Sequence, residues 1–257
     1  MLRTRVIPAL LLRNGGLVKT VKFGRPQYVG DPINAVRIFN EKEVDELMVL
    51  DIDASKERRG PDFDLIEQLA GECFMPLCYG GGIRTAEDAR TLFKLGVEKV
   101  ALQSAVFRTP SIVREIADRA GEQAVVVSID VKRNWLGKPM LHSASGEKLS
   151  HKDWREAVRE AVALGAGEIL FNAVDRDGTL AGIDADLIRE ASKIADVPLI
   201  AIGGVGSLAD MGAAIKAGAS AVAAGAYFVF QGPHRAVLIT YPRYDELSDL
   251  WRSVSDT

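Results

Sequence analysis

The chain is poor in the residues that most directly advertise chemistry. It has two cysteines and three histidines in 257 residues, and neither type falls in a metal-ligand or redox spacing. Cys73 and Cys78 therefore predict reduced thiols in or near a core, not a disulfide framework. The formal charge is −3, so no excess of one sign points to nucleic acid or to an anionic membrane. No apolar run approaches the roughly 18 residues of a membrane span. The first run, residues 6–12, is interrupted by Pro8 and stops at Arg13-Asn14-Gly15 without a small-residue cleavage site, so it does not read as a secretion signal. These absences predict a cytoplasmic protein with no cofactor, no metal, and no nucleic-acid or membrane partner.

What is present is a regular alternation. Short continuous apolar runs occupy residues 6–12, 47–52, 75–79, 100–104, 124–131, 169–174, 199–202 and 221–228. Parallel strands buried on both faces need continuous runs of this kind. Between them, amphipathic stretches at 32–42, 63–72, 86–95, 111–119, 152–164, 186–194 and 208–217 predict helices. Thr85, Asp184 and Ser207 supply N-terminal caps, and Gly96, Gly165 and Gly218 suit left-handed C-terminal ends. Eight strands alternating with helices predict the α/β class and one (βα)8 TIM barrel over residues 1–257. An internal repeat divides it: Gly81-Gly82 recurs as Gly203-Gly204, and Asp45-Glu46-Leu47 as Gly167-Glu168-Ile169, at the same displacement along the chain. Two half-barrels, about 1–121 and 122–245, are expected.

In this architecture chemistry sits on the loops after the C-terminal ends of the strands. Gly81 and Gly82 follow the third strand, and Gln103 and Ser104 the fourth. Gly203 and Gly204 follow the seventh, and Ala224 and Gly225 the eighth. Glycine lets backbone N–H groups approach an anion closely. The repeat thus predicts two phosphate-binding ends, and a phosphorylated ligand spanning the barrel mouth.

With these motifs placed, the chain resembles the cyclase subunit of imidazole glycerol phosphate synthase nearly end to end. The resemblance is carried by Arg5-Val6-Ile7-Pro8, Gly30-Asp31-Pro32, Gly80-Gly81-Gly82-Ile83, Ile129-Asp130, Gly165-Ala166-Gly167-Glu168-Ile169-Leu170 and Asp175-Arg176-Asp177-Gly178-Thr179. It implies that Asp130 is a general acid–base, that Asp177 is a top-face site residue beside the substrate-contacting Gly178, and that Lys19 lies on a loop that closes over substrate. It further implies a glutaminase partner at the barrel bottom, whose ammonia enters between Arg5, Glu46, Lys99 and Glu168. These four stand just before the first, second, fourth and sixth apolar strands. Gln123 matches a partner-facing position.

The departures are specific. Leu11 stands where the resembling family has its second acid–base aspartate, and loss of such a group typically costs about 10²- to 10⁴-fold in rate. Gln103 replaces an asparagine, and Ile202 and Gly225 replace serines. The tail from Phe228 to Pro242 is similar to that of cyclase-like proteins that help amidate surface-polysaccharide sugars beside an ATP-using sugar amidotransferase. The resemblance therefore implies an ammonia-receiving synthase subunit acting on a phosphorylated or nucleotide-linked sugar. The alternatives are the ordinary histidine-pathway cyclase, a lyase, and a non-catalytic scaffold that activates a glutaminase.

Overall fold

The structure, a computed structural model, describes residues 4–147, 149 and 153–255. Eight parallel strands form its centre: β1 (Arg5–Arg13), β2 (Leu47–Asp51), β3 (Leu77–Gly80), β4 (Lys99–Leu102), β5 (Val125–Arg133), β6 (Glu168–Ala173), β7 (Leu199–Ile202) and β8 (Ala221–Ala224). Each pairs with the next, and β8 returns to β1 with Ala221 opposite Arg5 and Ala224 opposite Pro8. The sheet is thereby closed into a (βα)8 TIM barrel. Helices α1 (Pro32–Glu41), α2 (Phe63–Glu72), α3 (Ala86–Lys94), α4 (Ser111–Ala120), α5 (Trp154–Ala163), α6 (Ala185–Ser192), α7 (Leu208–Lys216) and α8 (Tyr244–Ser255) alternate with the strands. Among the described residues no helix is long and apolar enough to cross a membrane.

The continuous apolar runs have two destinations. Alternate residues pack outward against the helices, while Ile7, Met48, Cys78, Ala101, Leu170 and Ala223 form a separate buried cluster between the strands. Alanine recurs in this inner layer at Ala9, Ala101, Ala221 and Ala223.

Caps read from the sequence fall where expected. Thr85 and Asp88 form a reciprocal capping box on α3, and Asp184 and Ser207 cap α6 and α7. Gly96, Gly165 and Gly218 have φ of 103°, 96° and 106°, the left-handed region that glycine enters at little cost. Thr85→Ala is expected to destabilise the chain by about 1 kcal/mol, measured as a lower urea midpoint at unchanged slope.

Three expectations need correction. The run 221–228 is strand only to Ala224; a short buried helix, Ala226–Val229, follows. The run 100–104 likewise ends as strand at Leu102, and Ser104 opens a helix ending at Arg108. An apolar run alone does not separate a buried strand from a buried helical turn. The strand expected from Met75 starts at Leu77, because Pro76 has no N–H for the ladder. The expected helix start at Lys152 lies outside the described residues. Two hairpins at the barrel mouth carried no recognised turn signal: Gly16–Lys19 pairs with β1 and with Gln27–Gly30, and Pro139–His142 pairs with β5.

Candidate functional site

At the C-terminal ends of the strands lies a cavity of about 690 Å³. Leu11, Leu50, Leu170 and Ile202 give it an apolar floor, and Gln103, Ser128, Asp130 and Asn172 a polar wall. Asp51, on the β2 end, and Asp177 also border it.

Asp130 sits on β5 between the buried Ile129 and Val131 and is 3% exposed. Burial pushes its carboxyl up to about 7, against the pull of hydrogen bonds from Gln103, Ser128 and Asn172. Gln103 Nε2 donates to Asp130 Oδ2 at 2.6 Å, and Ser128 Oγ to Oδ1 at 3.3 Å. A carboxyl poised near neutrality can both give and take a proton at working pH. Asn172 is buried too, and its Oδ1 has no hydrogen-bond partner.

This shift makes stability depend on pH with a definite sign. The folded-state value lies above the ordinary carboxylate value of about 3.9, so its stabilising contribution is complete below about pH 4. That contribution is lost as pH rises through about 7. Asp130→Asn removes the loss, so the variant is expected to gain on wild type progressively between about pH 4 and pH 7. Urea denaturation across that range measures it; parallel stability curves would restore an ordinary carboxyl.

Lys19 is not on an open loop. It ends the second hairpin strand and is 6% exposed. Its Nζ donates to the Ala9 carbonyl. Burial lowers the amine to about 8, with the charge of Asp177 opposing that shift. Asp177, whose carboxyl burial raises, accepts from Thr20 Oγ1 at 3.4 Å. The loop beyond Lys19 turns over the cavity, where the rings of Phe23 and His142 approach to 6.0 Å.

The glycines of the two ends are demanded by backbone packing before any ligand is considered. Gly81, Gly82, Gly203 and Gly204 all have positive φ. A Cβ at Gly81 would lie 2.4 Å from the Asp51 carbonyl, and one at Gly204 2.1 Å from that of Gly182. Gly178 is pressed against the Thr20 carbonyl in the same way. The cavity wall includes Gly81, Gly82, Gln103 and Ser104. Gly178, Gly203, Gly204, Ala224 and Gly225 do not border it, nor does Lys19. Gln103 is committed to Asp130 and, through Oε1, to Ala144 N at 3.3 Å.

At the opposite mouth the four predicted charges meet in one ring. Arg5 pairs with Glu46 and, at 3.0 Å, with Glu168. Lys99 pairs with the same two at 2.9 and 3.0 Å. Each carboxylate bridges both cations, so the ring is neutral and its charges are mutually compensated. Glu46 Oε1 and Glu168 Oε2 remain buried without partners. Immediately inside, Cys78 is fully buried, and desolvation together with Glu46 holds its thiol well above the ordinary range. Gln123 is exposed at the start of β5, on the same side.

Ser128 and Asn172 were legible by strand parity: Ser128 is two residues before Asp130, and Asn172 is four after Glu168, so each shares its neighbour's face. Thr20 had no such signal, because its place depends on the hairpin. Among the described residues no group of three His, Cys, Asp or Glu side chains could hold a metal ion.

Residues 5–233 match the family described as Histidine biosynthesis protein. The chain is 53% identical over 251 residues to a Pseudomonas aeruginosa protein provisionally named imidazole glycerol phosphate synthase subunit hisF2, covering 96% of this chain and 99% of that one. A Vibrio vulnificus protein with the corresponding provisional name, subunit hisF3, is 50% identical over 251 residues, 96% and 95% of the two chains. Imidazole glycerol phosphate synthase subunit HisF of Streptomyces coelicolor is 41% identical over 229 residues, 89% and 91% of the two.

Proposed function

The chain belongs to the histidine biosynthesis protein family, in its imidazole glycerol phosphate synthase subunit HisF group, and from that premise we propose an ammonia-receiving synthase subunit of a glutamine-dependent enzyme. A glutaminase docks beneath the barrel, and its ammonia passes the ring of Arg5, Glu46, Lys99 and Glu168. The apolar inner layer carries it, as a neutral molecule, to the upper cavity. There it serves amidation of a phosphorylated or nucleotide-linked sugar.

One observation carries this reading: the four-charge ring is complete while Leu11 occupies the cavity floor. A leucine exchanges no proton, so the paired acid–base chemistry of a cyclase loses a member while the entrance keeps all of its own. Identity is also higher to the hisF2 and hisF3 relatives, at 53% and 50%, than to Streptomyces coelicolor HisF at 41%. Above the cavity, the hairpin after β5 presents Trp135, 89% exposed, and Leu136, 69% exposed. Such apolar tips suit an ATP-using sugar amidotransferase docked over the mouth. Trp135→Ala is expected to weaken its co-purification and to leave capture of the glutaminase unchanged; equal recovery of both would remove the upper docking surface. The activity test is glutamine-driven amidation with all partners present, wild type against Lys99→Ala and Asp130→Asn. Unchanged turnover in both variants would defeat the reading.

The second reading is the histidine-pathway cyclase itself, favoured by the names of the relatives. Asp130 would then act with another group in place of the missing aspartate. Expression in a strain lacking that enzyme separates the two: growth at the normal rate on minimal medium selects the cyclase.

A further inference from the structure

Adding ammonia to carbon moves two protons: one leaves the nitrogen, and one reaches the atom that receives the displaced electron pair. Asp130 can handle one of them, and Leu11 neither. Of the described histidines, His142 alone borders the cavity.

The strand ladder sets its position. In the hairpin strand Pro139–His142, His142 stands directly opposite Asp130 of β5, with Leu141 opposite Val131 and Met140 opposite Lys132. Residues opposite each other in an antiparallel pair send their side chains to one face, so imidazole and carboxyl look into the same space. Gln103 ties the two strands together there. Its Nε2 donates to Asp130 at 2.6 Å, and its Oε1 accepts at 3.3 Å from the N–H of Ala144, two residues beyond His142. The half-buried imidazole meets the Phe23 ring of the mouth loop at 6.0 Å, with 44° between the planes. Among the described residues no hydrogen bond engages its nitrogens, which leaves them to a ligand.

The charges around it are mixed. Lys132 lies on β5, Asp175 on the loop after β6 and Asp130 across the ladder, while Lys22 and Asp177 border the same cavity. Burial, and then the Lys132 ammonium, hold the imidazole below its ordinary 6.5, with Asp175 opposing. Asp130 is held at about 7. Near neutral pH the imidazole can therefore take a proton while Asp130 still has one to give.

We propose that His142 is the catalytic base of this cavity, working with Asp130 as the acid in the role that Leu11 leaves unfilled. The proposal rests on the reading of the cavity as the place where ammonia reacts, and it holds for either acceptor considered above. The ammonia lone pair bonds to a polarised C=O carbon of the ligand. The π pair of that bond moves to the oxygen, which takes the Asp130 proton, and the nitrogen gives one of its protons to His142. The adduct is neutral. The imidazolium then returns its proton to solvent at the mouth, and Asp130 regains one.

Two variants test this. His142→Phe keeps a ring against Phe23 without an exchangeable proton, and His142→Gln keeps a polar side chain. In the assembled enzyme both are expected to lose about 10²- to 10⁴-fold in turnover, equally with glutamine and with added ammonium salt. Wild-type kcat/KM should fall on the acid side, below the ordinary imidazole value, and the residual activity of His142→Phe should lack that limb. The double variant with Asp130→Asn should cost less than the product of the two single losses, as for groups that act as a unit. Near-wild-type turnover in His142→Phe would overturn the proposal by reducing His142 to a ring contact. So would an acid limb that persists in the variant, or a loss confined to glutamine. If His142→Phe does not fold, His142→Gln decides. Lys99→Ala tests the entrance alone: normal turnover there, with loss in His142→Phe, would strike the entrance and leave His142 in place. Where amidation gives no turnover, the same variants go into the minimal-medium strain, and absence of both activities overturns the proposal.

Discussion

Asp130→Asn is expected to lower glutamine-driven turnover by about 10²- to 10⁴-fold, the usual cost of removing a positioned acid–base group. Asparagine keeps the shape of the side chain and an oxygen that can still accept from Gln103 Nε2. The change therefore removes the exchangeable proton and one acceptor oxygen, the one that takes the Ser128 hydroxyl at 3.3 Å. Burial holds the Asp130 carboxyl at about 7, and with leucine at position 11 no second carboxyl shares its task on the cavity floor. Asp177 borders the cavity as well, but its charge is answered by Lys19 and by the Thr20 hydroxyl. Asp177→Asn should accordingly cost less than Asp130→Asn. Steady-state kinetics with the glutaminase present measures both, and near-wild-type turnover in Asp130→Asn would reduce the upper cavity to a conduit.

Lys99→Ala acts at the other mouth, on stability as well as on ammonia. Glu46 and Glu168 each lose one of two cations, and Arg5 alone remains to serve both. Removing one partner of a buried pair costs about 3–5 kcal/mol because the remaining charge stays desolvated. The bridging Arg5 and the partial exposure of the ring place the loss near the lower end, about 3 kcal/mol, read from urea denaturation. In the assembled enzyme the variant should lose glutamine-driven turnover and keep turnover supported by added ammonium salt, since only the guarded route is broken. Equal losses with both nitrogen sources would make the ring a structural plug and remove the entrance.

These two sites were legible in the chain to different depths. Arg5, Glu46, Lys99 and Glu168 stand at the first residue of a strand or just before it, and strand starts in a parallel barrel all lie at one mouth. Their meeting is therefore a consequence of the apolar period and the fold. Asp130 was picked out by the family resemblance, and its height near the far end of an apolar run agrees with that. Its surroundings were less legible: Ser128 and Asn172 follow from parity, but nothing in the local pattern announces that Asn172 shares the carboxylate of Asp130. The strand ends expected at residues 226–228 and at Ser104 are helical instead, because a buried helical turn and a buried strand are equally apolar.

The order of strands and helices, the mouth to which each charge belongs, and the face on which Asp130 lies were determined by the sequence alone. Periodicity sets direction and height along a barrel, and both are local quantities. Tertiary structure alone decided which side chains lie beside the two glycine pairs. Lys19 reaches Gly225, and Arg235 reaches Gly178, across distances in the chain that no local pattern records. What lies beside each pair depends on how separate loops pack against each other, and the two copies of a repeat carry no information about that.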